Sequence, residues 1–104
     1  MTELATDFQR IMREEARLII LKALGEQVNE SLNSSILQQV LTTFAINMER
    51  PWVHQQIEYL ETMGAVAVVP AGTVKIATLT ELGRRHIDRL TAIEGVKRPS
   101  RPGA

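Results

Sequence analysis

The 104-residue chain has no cysteine, two histidines, four aromatic side chains and no net charge. Without cysteine there is no disulfide framework, no zinc ribbon and no thiol nucleophile. His54 and His86 fall on different predicted helices and match no ligand spacing, so no metal site is expected. A phosphate-cradling glycine loop and a nucleophile elbow are also missing, and the one close acidic pair, Glu14-Glu15, reads as a surface dyad. An enzyme and a bound cofactor are therefore not expected. No apolar run approaches the roughly 18–20 residues of a membrane span. Met1–Gln9 carries two acids and no base, so it does not read as a signal peptide. The expectation is one domain in a reducing cytoplasm. Zero net charge gives no general attraction to nucleic acid.

The neutral total is made of two opposed halves. Residues 1–64 hold nine acids and five bases, a balance of −4, and residues 65–104 hold seven bases and three acids, a balance of +4. Such asymmetry points to a basic arm or face directed at a polyanion or an acidic partner.

Apolar spacing predicts a first helix opening at Thr6, with Gln9 completing a capping box. It carries Phe8, Ile11, Met12, Ile19, Ile20 and Ala23 and stops at Gly25, where a left-handed residue closes it. Towards its end it is apolar nearly all round, so one face packs beyond the domain's own core. Asn33 caps a second helix with Leu37, Val40, Leu41 and Phe44 on one face. Arg50-Pro51 opens a third, which buries Val53, Ile57 and Leu60 and ends at Gly64. The second and third helices with their short connector read as a helix-turn-helix. The period then changes to two: Ala65–Val69 and Thr73–Thr78 form a hairpin around a Pro70-Ala71-Gly72 turn. A last helix starts at Thr78 or Thr80 and buries Leu82, Ile87, Leu90 and Ile93. Residues 1–94 thus form the domain, and residues 95–104 a basic, proline-containing tail without its own core.

Helix, helix-turn-helix, hairpin, helix is the order of a winged helix-turn-helix, an α+β and mainly helical fold. Glu61-Thr62-Met63-Gly64-Ala65-Val66 resembles the junction between reading helix and strand in MarR- and ArsR-type regulators. Leu79-Thr80-Glu81-Leu82-Gly83 is similar to the segment that follows the wing in MarR-type domains. Arg17-Leu18, Ile20-Leu21, Ser31-Leu32-Asn33, Ile36-Leu37, Ala77-Thr78-Leu79-Thr80 and Gly95-Val96-Lys97-Arg98-Pro99 resemble small winged-helix proteins of Mu-like phages and prophages. The resemblance runs from about Arg13 to Pro102. It implies a winged helix of phage origin, with DNA as the expected ligand in gene regulation or packaging, and a homodimer joined through the first and last helices.

A winged helix reads DNA with its third helix in the major groove. Arg50, His54 and Gln55 face outward there, Ser34 and Ser35 open the second helix where a phosphate can bind, and Lys75 lies on the wing. Lys97, Arg98 and Arg101 give the tail its charge. Against DNA stands the sum over Glu49–Met63, one base against three acids, since phosphate neutralisation by Lys and Arg supplies much of the binding free energy. Trp52 and Tyr59, with Gln56 and Met63, form a helical stripe that is either core or a protein-contact patch. The alternative function is thus an adaptor that docks on a phage or host protein.

Overall fold

The computed structural model describes residues 2–101. The elements are α1 (Thr2–Gly25), β1 (Ser31–Asn33), α2 (Ser34–Thr43), α3 (Arg50–Thr62), β2 (Val66–Ala71), β3 (Val74–Leu79) and α4 (Glu81–Ile87). The described chain is α+β and mainly helical, with one antiparallel sheet in the order β1-β3-β2. None of its helices is long and apolar enough to cross a membrane.

The all-round apolar end of α1 is the centre of the molecule. Ala16, Ile20, Leu21 and Leu24 are fully enclosed, and Leu37 and Leu41 of α2 join them with Val53, Ile57 and Leu60 of α3. Asn33 caps α2 as its sequence indicates, Oδ1 accepting from the Ile36 amide at 2.9 Å. The first half of α1 differs from expectation. Thr6 lies inside the helix, which already runs from Thr2, because nothing in the helix-forming sequence ahead of it breaks the turn. Gly25 does not take a left-handed conformation; a left-handed residue comes only later, at Glu30 in the loop before β1, with φ 58°. A Cβ at Gly25 would sit 3.2 Å from Ile87 Cδ1, a tight approach that this side-chain end would meet by a small shift.

Three other elements depart from the sequence reading. β1 is too short to show a period, and it is held on the sheet by pairing with β3. The β2–β3 hairpin turns through Gly72-Thr73, because Pro70 stays in the ladder opposite Lys75 and Gly72 supplies φ +63°. A proline fits there because β2 is an edge strand. Helix α4 has only seven residues, is capped by Thr80 rather than Thr78, and leaves Leu82 and Leu90 exposed.

After α4 the chain folds back instead of trailing away. Ile93, Val96 and Pro99 are buried. His86, fully enclosed, holds this return: Nδ1 accepts from the Ile93 amide at 3.0 Å and Nε2 lies 2.9 Å from the Lys97 carbonyl. Since Nδ1 must accept, the proton sits on Nε2 and donates to that carbonyl. The Lys97 amide donates to the Glu14 carbonyl at 3.2 Å, and Arg89 donates to the Pro99 carbonyl. Residues 95–99 are therefore a strap closing the core beside α1, which corrects the expectation of a coreless tail. Pro102 and the remainder of that expected tail lie outside the described residues.

Candidate functional site

Three candidate residues converge where α2, α3 and the β2–β3 hairpin meet. Ser34 is completely buried. Its hydroxyl accepts from the Lys75 amide at 3.0 Å and lies 2.8 Å from His54 Nε2. Both bonds are internal, so Ser34 ties the β2–β3 hairpin to the helix pair and has no exposed oxygen for a phosphate. Ser35, next to it, is half-buried. Burial lowers the His54 pKa from its ordinary value, Lys75 and Arg50 push it the same way, and Glu58 opposes them. The ring is thus held neutral and adds no charge to the outer face near pH 7.

The cations of this face are engaged inside the fold. Lys75 Nζ lies 3.4 Å from the Glu58 carboxylate, joining β3 to α3. Arg50 donates through Nε to Gln38 Oε1 at 2.7 Å, and Gln38 in turn donates to the Met48 carbonyl at 2.9 Å. That chain fixes the connector between the two helices. Gln55, Glu58 and Glu61 are exposed, so an acidic and amide surface stands where a reading helix needs base and phosphate donors.

The stripe of Trp52 and Tyr59 divides. Tyr59 donates to the Glu94 carbonyl at 2.6 Å. Its ring lies 3.7 Å beneath the Arg17 guanidinium. Arg17 donates onward to Gly95 O at 2.8 Å and to Gln56 Oε1 at 3.0 Å, and burial lowers its pKa from the ordinary value. Tyr59 and Gln56 thus belong to an internal clasp on the C-terminal strap, not to an open contact patch. Trp52 is half-buried and borders a shallow groove with Met12, Arg13, Met48 and Gln55.

Of the tail cations, Lys97 is paired with Glu15 of α1 at 2.8 Å, while Arg98 and Arg101 are exposed. They lie on the strap, and none joins the polar contacts among Ser34, His54 and Lys75. Arg84, on α4, grips the loop after α1, pairing with Glu30 and donating to the Gly25 carbonyl at 3.2 Å. That hydrogen bond to Glu30 raises the Arg84 pKa above its ordinary value.

Two groups central to this architecture, Arg17 and His86, give no signal in the sequence. Each sits on a helix whose apolar period explains its neighbours but not itself. The exposed apolar residues Leu4, Phe8 and Ile11 were equally hidden, because helical spacing reads as core whether or not something covers it. Among the described residues there is no cluster of His, Asp and Glu able to hold a metal ion.

Over 94 residues the chain is 37% identical to a protein of Escherichia phage Mu described as uncharacterized protein gp26, an alignment covering 90% of this chain and 96% of the phage protein. No protein-family model matches the chain. No solved structure matches it.

Proposed function

This chain belongs to the family of the Escherichia phage Mu protein gp26, and from that premise we propose that it is a non-enzymatic winged-helix module that docks on a phage or host protein rather than reading DNA. The observation that carries this is the engagement of its cations within the fold. Lys75 is held by Glu58, Lys97 by Glu15, and Arg50 by Gln38, while Glu49–Met63 keeps its balance of −2. A DNA-reading face needs those groups free, since each phosphate contact supplies affinity by releasing a counterion. An acidic, amide-rich α3 instead suits a partner surface bearing Lys or Arg.

A second reading rests on Arg85, Arg98 and Arg101, which are exposed and make no ion pair among the described residues. They allow the α4 and strap side to lie along a phosphate backbone. Fluorescence anisotropy of a labelled duplex at about 50 mM and about 200 mM salt separates the two readings. No saturable binding at either salt is the expected result. Binding at the lower salt that collapses at the higher, and weakens in Arg98→Ala with Arg101→Ala, would replace the adaptor by the DNA reading.

A further inference from the structure

The sheet runs β1-β3-β2, so one side of Val66–Ala71 meets β3 and the other meets no strand. Pro70, opposite Lys75, has no amide hydrogen to give the ladder, and the two-residue turn makes Ala71 and Val74 the bonded pair beside it. Bonded and unbonded pairs alternate along an antiparallel ladder, so Val66, Val68 and Pro70 all turn their backbone groups away from β3. The amides of Val66 and Val68 and the carbonyls of all three make no backbone bond outside the sheet among the described residues. The opposite edge, β1, has only three residues and runs straight into α2.

Open edges are ordinarily guarded by charge, a bulge or brevity. The six residues of β2 carry no charge, and Pro70, near the turn, is their single guard. Ala67, Val69 and Ala71 form an exposed apolar row on one face of the strand, with Val69 56% exposed. The Val66 end of this edge is acidic. Glu61 lies in the last turn of α3, and its carbonyl accepts from the Gly64 amide at 2.9 Å. Glu81 follows Thr80, whose amide donates to the Ala65 carbonyl at 3.1 Å. Both acids are exposed, and neither makes an ion pair among the described residues.

We propose that β2 is a docking edge on which an extended segment of a partner protein adds a fourth strand to the sheet. Its backbone takes up the free amides and carbonyls, and its alternate side chains set the specificity. Those that share a face with Val69 are apolar, and a Lys or Arg stands at the end that reaches Val66, where Glu61 and Glu81 receive it. A second copy of this chain fits less well. Its β2 holds no base to answer the two acids, and its Pro70 cannot return a ladder bond. A phosphate backbone would meet the same two acids and be repelled. The inference rests on the adaptor reading above and gives that partner a shape, a strand with apolar and basic side chains.

Selection from a random library of peptides about ten residues long, on the immobilised full chain, tests this. The selected peptides should alternate apolar residues, carry Lys or Arg at one end, and slow exchange of the Val66 and Val68 amides by roughly 10-fold or more. Val68→Pro removes one outward amide and leaves the ladder to β3 intact, so it should weaken these peptides by roughly 10-fold. Glu61→Lys with Glu81→Lys leaves the strand untouched and should weaken them by a similar factor at low salt, and by less at about 1 M. Recovery of no peptide tighter than about 100 μM would overturn the proposal. So would peptides that bind wild type and both variants alike, or that protect amides elsewhere. Self-association of the wild type that Val68→Pro abolishes would give the edge to a second copy and overturn it as well. Duplex binding alongside peptides that still protect Val66 and Val68 would remove the adaptor reading alone; failed peptides without duplex binding would remove the strand site alone.

Discussion

His54 shows how one buried contact changes what a residue can do. Its ring is tied to Ser34 and its pKa lies below the ordinary 6.5, with burial the leading cause. Folding therefore favours the neutral ring. That contribution is complete above the unfolded value of about 6.5 and is lost as pH falls through the lower folded-state value. His54→Gln should melt at a temperature that drops less than the wild type's between about pH 7.5 and about pH 5.5. Equal drops in thermal melts of the two proteins would show that the ring titrates alike in both states. Gly95 makes a steric case. It holds φ +81°, and a Cβ there would run into the Tyr59 hydroxyl. Gly95→Ala should cost about 2 kcal/mol or more in urea unfolding, against about 1 kcal/mol for Tyr59→Phe, which removes a single hydrogen bond. Neither contact can be seen in sequence, because the partners are far apart along the chain. Ser34 was misread for the same reason: the start of a helix suggests an anion, and only the fold places His54 and Lys75 over the hydroxyl.

At the level of elements, local chemistry was legible wherever it decided the outcome alone. Asn33 caps α2, Pro51 opens α3, and Gly64 closes it with φ +80°. The alternating valines make β2. The end of the chain was illegible, because its fate depends on a surface it must find. Gly95, Pro99 and three cations read as a solvated tail, yet Val96 fills the space beside α1 and His86 supplies both ends of a clasp. Leu90 and Ile93 keep a helical spacing after Ile87, but the helix stops there and Arg89 turns left-handed at φ 62°. Ile93→Ala should therefore behave as a core deletion, costing about 2–4 kcal/mol. In amide exchange, the Val96 and Lys97 amides, bonded to the Ile93 and Glu14 carbonyls, should be protected in the wild type and exposed in that variant. Unprotected amides in the wild type would mean the strap is loose in solution.

At the scale of the molecule, the division of charge along the sequence is largely cancelled by folding. The acidic first part and basic second part meet in three ion pairs, Lys75 with Glu58, Arg84 with Glu30 and Lys97 with Glu15. Each is partly exposed, so each contributes little to stability, but together they draw cations away from any outside anion. The kinship with the Mu phage protein is independent of this electrostatic account. The most direct test compares wild type with Glu58→Lys/Glu61→Lys, which turns the −2 of Glu49–Met63 into +2, in duplex binding at about 50 mM salt. The wild type should not bind, while the variant should bind and lose affinity as salt rises. A wild type that binds as tightly as the variant would contradict the claim that this face is built for a protein.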